Sequence, residues 1–146
     1  MKLNIAWKVL FLIGFVIVLI GLHFLLIRPN FVFFPEDSRF TGLSSEQLKE
    51  YNSNLFTWLG FVFRSWGAFA ISTGVFIMGT AAYGLRKKTV WAYYVLALGG
   101  LPSLSIFLFV NLSLNSDFVI VIGLLLVLYL LSLVLAFEEV FLGNKL

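Results

Sequence analysis

Cysteine is absent from the chain, which excludes a disulfide framework, a thiolate metal site and a thiol relay. Histidine occurs once, at His23, so a single chain cannot supply bis-histidine haem ligation. A Ser-His-Asp hydrolase would have to be built around this one imidazole, and no G-x-S-x-G turn accompanies it. Charge is scarce: Asp, Glu, Lys and Arg make up 12% of the residues, about half the roughly 25% of a soluble domain. Acids are missing from the apolar part of every long hydrophobic run, which removes the usual carrier of a coupling proton and any intramembrane metal cluster. A small multidrug-resistance exporter, similar in length and span number, is expected to hold a glutamate within its first helix, and none stands there. No metal and no cofactor is expected.

What is present is apolar. Hydrophobic residues are 61% of the 146, and the mean hydropathy is +1.03. Four tracts, near 5–27, 56–85, 89–112 and 117–137, are long enough for the roughly 20 helical residues that cross a hydrocarbon core of about 30 Å. Continuous apolarity favours helices over barrel strands, which would be about ten residues long and alternate in polarity. The first tract outlasts a signal-peptide core of about 7–15 residues and ends at Arg28-Pro29 without a small-residue cleavage site, so it reads as a retained span. The expected fold is all-α: a single-domain (1–146) integral membrane four-helix bundle with a short amphipathic helix in the first external loop, 28–55.

In that loop, Pro29 and Pro35 keep the first helix from continuing. Ser44 and Gln47 have the spacing of a capping box, with Leu43 and Leu48 at its staple positions. Leu48, Tyr51 and Leu55 then recur at helical spacing, as on a helix lying apolar side down on the membrane surface. Asn52-Ser53-Asn54 either separates this helix from the second span or bends within one longer helix. Basic residues sit at the ends of apolar tracts, so the net charge of +3 reads as a topology signal and not as a nucleic-acid surface. The Arg86-Lys87-Lys88 loop predicts a cytoplasmic face, which places both termini in the cytoplasm along with Lys2, Lys8 and Lys145. Arg28, Arg39 and Lys49 dissent from the opposite side.

Gly60, Gly67, Gly74 and Ala81 repeat every seven residues on one stripe of the second span, and Gly14 and Gly21 share that spacing in the first. Small residues let membrane helices approach closely, so these two spans are expected to pair. Pro102, shortly after Gly99-Gly100, is expected to bend the third span, with the freed carbonyl met by Ser103, Ser105 or a neighbouring helix. Trp7, Trp58, Trp66 and Trp91 lie near span ends, as interfacial anchors do. Asn111-Leu112-Ser113 matches a glycosylation sequon by chance at the membrane boundary.

Arg64 is the one charge placed well inside an apolar tract and the first candidate for a binding site. Four residues after Gly60 and three before Gly67, it is expected to share their face and point into the bundle, toward Glu36, Asp37, Asp117 or the amide of Asn111. The competing reading makes it an interfacial anchor between Trp58 and Trp66. With His23, Asn111, Glu36 and Asp37 it forms the candidate ligand-binding set, and Arg64→Leu is expected to do more harm than Arg39→Leu. A lipid phosphate or anionic ligand would suit the guanidinium.

The stretches Thr41-Gly42-Leu43-Ser44, Phe63-Arg64-Ser65-Trp66-Gly67 and Tyr83-Gly84-Leu85-Arg86-Lys87-Lys88-Thr89-Val90-Trp91-Ala92-Tyr93 together resemble small four-span prokaryotic proteins of the DoxX-like kind. The resemblance implies a four-helix membrane bundle and supplies neither an activity nor a functional residue. Close-packing stripes without catalytic equipment point to a non-enzymatic helper that binds membrane lipid, another membrane protein or a second copy of itself. A carrier or channel for a small anionic or amphipathic molecule is the alternative, with Ser72, Thr73, Thr80, Ser103, Ser105, Asn111 and Ser132 as the only possible lining groups. An enzyme at the outer surface ranks third.

Overall fold

The computed structural model describes residues 2–142; Lys145, one of the topology signals, lies outside them. The first span is α1 (Lys2–Leu26). Three short helices follow: α2 (Arg28–Phe31), α3 (Pro35–Thr41) and α4 (Ser45–Tyr51). The second span opens as α5 (Ser53–Gly79) and runs on through a π-helical turn, Thr80–Gly84, and a 3-10 turn, Leu85–Lys87. The third joins α6 (Val90–Val95) to α7 (Leu101–Ser113) through a π-helical turn, Leu96–Gly100. The fourth, α8 (Val119–Phe137), continues as a π-helical turn over Glu138–Leu142. Four helices are thus long and apolar enough to cross a membrane, and they pack as a bundle: this is a multi-pass membrane protein.

The glycine seam sets the geometry. A Cβ placed on Gly67 would lie 2.7 Å from the Gly21 carbonyl oxygen and 2.6 Å from the Leu25 nitrogen, and one on Gly14 would lie 2.8 Å from the Gly74 carbonyl oxygen. Only hydrogen fits at these crossings, so α1 and α5 touch backbone to backbone. Gly60 is different. A Cβ placed there would meet Pro29 of α2 at ordinary contact distance, 3.6 Å from its carbonyl oxygen. On its other side α1 packs on α8, and α8 packs on α7, closing the bundle.

Pro29 and Pro35 do more than stop α1. Each stands in the first turn of a new short helix, where a missing N–H costs nothing, so α2 and α3 form where a plain loop was expected. The Ser44 capping box forms as its spacing predicts: Ser44 N–H donates to Gln47 Oε1 (2.8 Å) and Gln47 N–H to Ser44 Oγ (3.1 Å). The apolar stripe beyond it divides between two helices. Leu48 is buried, but Tyr51 is 83% exposed and Leu55 is exposed too. Asn52 ends α4 and caps α5 by accepting the Leu55 N–H (3.0 Å), so Leu48 and Leu55 belong to different helices.

The two halves of the interior are built differently. Toward the Lys2 and Arg86 end, here the basic end, the core is aliphatic and small: Leu3, Ala6, Leu10, Ile77, Ala81, Leu85, Ala92 and Ala136 pack around Tyr129. Toward the α2–α4 end, here the cap end, rings fill the space. Trp66 of α5 sits 4.1 Å from Phe24 of α1 and 5.4 Å from Phe107 of α7, centroid to centroid. Trp66 is thus half-buried against two other spans, whereas Trp58 and Trp91 are exposed.

Candidate functional site

The charged centre of the cap end is Arg28, a residue outside the candidate set. It follows α1 directly and is buried, with 5% of its surface exposed. Its Nη2 is ion-paired with Asp37 Oδ2, and its guanidinium carbon lies 3.7 Å from the Phe34 ring centroid, 4.7 Å from that of Phe63 and 5.2 Å from that of Phe24. Desolvation lowers the pKa of this guanidinium, and the charges of Asp37 and Glu36 oppose the shift, so the group stays cationic inside an aromatic cage. Asp37 serves twice, since the same Oδ2 accepts the Phe34 N–H (2.7 Å) that opens α3. Glu36 is buried beside it and accepts the Ser116 hydroxyl (3.2 Å), 80 residues along the chain. His23 stacks against the same Phe34 ring at 5.4 Å. Two buried nitrogens of this cluster, His23 Nε2 and Arg28 Nε, have no hydrogen-bond partner.

The structure thus brings His23, Glu36 and Asp37 together around Arg28, and joins Asn111 to them through the α7–α8 turn, where Ser116 N–H donates to the Asn111 carbonyl (2.9 Å). The Asn111 side chain is buried and donates to its own helix at Phe107 (2.9 Å). Ser45 locks the cap from below: its hydroxyl donates to the Phe31 carbonyl and accepts the Phe33 N–H (3.1 Å). Between these anchors Val32, fully buried, takes a φ of +51°, a conformation a β-branched residue adopts only when its surroundings impose it.

Arg64 stands apart from all of this. It is exposed, and its nearest aromatic neighbour is Phe61 of its own helix, at 5.8 Å. The expectation that it shares the glycine face is corrected by helix geometry. At about 100° per residue, Arg64 and Phe63 fall roughly 50° to either side of the seam. The interior lies on the Phe63 and Trp66 flank, because α7 is there, and Arg64 is on the other. Its expected partners are held elsewhere: Asp37 by Arg28, Glu36 by Ser116, and Asp117 by Arg39 at 3.0 Å, with Arg39 also reaching the Asn115 carbonyl at 3.2 Å.

The third span's break is fixed from α8. Tyr129 donates its hydroxyl to the Leu96 carbonyl (2.8 Å), and Ser103 donates to that of Gly99 (2.9 Å), so two carbonyls of the π-helical turn before Pro102 each accept a side-chain hydroxyl. Gly100 makes room for this: any Cβ there would overlap the Tyr129 hydroxyl. Beside the break a cleft of about 250 Å³ opens between the second and third spans, lined by Thr73, Ile77, Leu96, Gly99 and Ser103 among others. Its hydroxyls are not free. Thr73 donates to Phe69 and Ser103 to Gly99, as Ser72 does to Ala68 and Ser132 to Leu128, each to the carbonyl four residues back. Among the described residues, no three His, Asp or Glu side chains converge as metal ligands.

No protein-family model, curated protein or solved structure matches this chain. The DoxX-like resemblance therefore has no family match behind it, and what stands is the four-span helical bundle itself.

Proposed function

We propose that this chain is a non-enzymatic membrane helper that acts through its surfaces, binding lipid or a membrane partner, with both termini in the cytoplasm. The observation that carries the reading is the local use of intramembrane polar groups. Ser72, Thr73, Ser103, Asn111 and Ser132 all donate to the carbonyl four residues earlier in their own helix, so their donors are used locally and not across the bundle. At the cap end, Arg28, Asp37 and three phenylalanine rings fill the space a solute would enter. The orientation is supported by charge: the basic end carries Lys2, Lys8, Arg86, Lys87 and Lys88 against Glu138 and Glu139.

The lateral cleft beside Pro102 favours a second reading, a carrier for a small amphipathic molecule. Reconstitution into sealed vesicles separates the two. The helper reading expects anion and amphipath fluxes equal to those of empty vesicles and lipid that stays bound through purification; protein-dependent flux sensitive to Thr73→Val or Ser103→Ala would replace it with the carrier. For orientation, a cysteine introduced beside Lys88 should resist an impermeant reagent in intact cells, and ready labelling would invert the topology.

A further inference from the structure

Three cations are left over at the basic end. Lys2 is bound to Glu138 and Lys88 to Glu139 (3.1 Å), whereas Lys8, Arg86 and Lys87 have no carboxylate within ion-pair range among the described residues. Arg86 and Lys87 are both exposed. With Trp7, Ala82 and Tyr83 they line a recess of about 580 Å³. The second span ends there in a π-helical turn followed by a 3-10 turn, and Tyr83, Arg86 and Lys87 all border the recess. From α1, Trp7 supplies the facing ring. Its indole N–H donates to Asn4 Oδ1 (3.1 Å), and the ring lies 5.2 Å from the Arg86 guanidinium and 5.8 Å from the Lys8 ammonium.

This combination has a chemical reading. A guanidinium offers a planar fork to two phosphate oxygens, and a neighbouring ammonium adds a point charge. Tryptophan and tyrosine at the end of an apolar span sit at headgroup depth, where one part of the ring is dry and its polar atom is wet. The recess is open on one side, so a headgroup can rest in it while the rest of the lipid stays in the bilayer, and it is larger than a bare phosphate ion. We infer that the recess between Trp7 and the Tyr83–Lys87 turn binds the phosphate of an anionic lipid headgroup, with Arg86 as the forked donor and Lys87 as the second charge. The inference rests on the helper reading and deepens it by naming the ligand.

A soluble phosphate shares this chemistry, so the test separates the two sources. The full chain is reconstituted in vesicles of phosphatidylcholine mixed with phosphatidylglycerol, and the lipid it retains is identified by native mass spectrometry. Phosphatidylglycerol should be retained selectively, and Arg86→Gln combined with Lys87→Gln should weaken that selectivity by roughly 30-fold, about fivefold per charge. Ala82→Leu, which fills the recess and changes no charge, should weaken it several-fold, while Lys88→Gln, whose charge is already paired, should leave it near the starting value. Selectivity untouched by Ala82→Leu would reduce the site to diffuse attraction and overturn the inference. Displacement of the lipid by inorganic phosphate at equal concentration would overturn it in favour of a soluble ligand. If the double variant fails to fold, judged by its melting curve in detergent, the Ala82→Leu and Lys88→Gln arms still decide. Solute flux would sink the helper reading and leave selective retention standing, whereas lost selectivity without flux sinks this inference alone.

Discussion

At the cap end Arg28 and Arg39 are each held by a carboxylate, and the first is walled in by phenylalanine rings; at the basic end Lys8, Arg86 and Lys87 stand without a carboxylate partner among the described residues. The interiors differ in parallel, rings around an ion pair at one end and close aliphatic packing at the other. A buried guanidinium with no counter-charge is very costly, so Arg28 is paired inside the protein, whereas the exposed cations of the same end, Lys49 and Arg64, have no carboxylate partner among the described residues. Charges at the headgroup level can stay unpaired within the protein, which leaves them free to meet something outside it. The same residue type thus closes one end of the bundle and stays exposed at the other.

Asp37→Ala is the sharpest way to break the cap end. It leaves Arg28 buried without its partner and the Phe34 N–H without an acceptor, and should cost about 3–5 kcal/mol, read as unfolding free energy in detergent micelles. Asp37→Asn, which keeps an acceptor for that N–H, should lose less. An unchanged unfolding curve for Asp37→Ala would mean the cap does not hold the bundle.

The seam between α1 and α5 ties the two ends together, and Gly67→Ala tests it. Its Cβ would press on the Gly21 and Leu25 backbones, which cannot give way as a flexible side chain does, and the loss should be about 1–3 kcal/mol by the same measurement. Gly79→Ala is the matched control, because nothing lies within 4 Å of a Cβ there. Equal effects would dissolve the seam argument.

Among the arginines the ranking expected from sequence is reversed. Arg39→Leu removes an exposed pair with Asp117 that links α3 to the α7–α8 turn and should cost about 0.5 kcal/mol, while Arg64→Leu should cost less. A larger loss for Arg64→Leu would restore it to the site. The smallest stability effect is expected from Arg86→Gln with Lys87→Gln: removing cations that have no internal partner should leave the unfolding midpoint unchanged while lipid selectivity falls.

Much of the cap was legible in part. Ser44 and Gln47 announced α4 because a capping box is complete within four residues. Glu36, Asp37, His23 and Asn111 were recognisable as polar groups near one boundary, yet Arg28, which gathers the first three, read as a mere flank of the first span. Its burial depends on Phe34 and Phe63 arriving from two other helices, and neither arrival has a local signature. Tyr129 was invisible for a similar reason. A tyrosine in an apolar helix gives no sign that a carbonyl in another helix awaits it, although Gly100 beside Pro102 marked the place where something bulky had to fit.

The sequence by itself determined four spans, their helical nature and the α1–α5 pairing, because apolar length and a seven-residue glycine spacing are properties of single segments that the bilayer reads directly. It also determined where positive charge collects, since the Arg86–Lys88 loop is local, whereas the pairing of Lys88 with Glu139 is a tertiary outcome. Only the tertiary structure decided which arginine is buried. A seam has two flanks, and a helix cannot say from its own residues which one a third helix will cover. With α7 on the Phe63 and Trp66 side, Arg64 was left outside, and Arg28 was closed in with Asp37 by a cap whose contacts span 80 residues of chain.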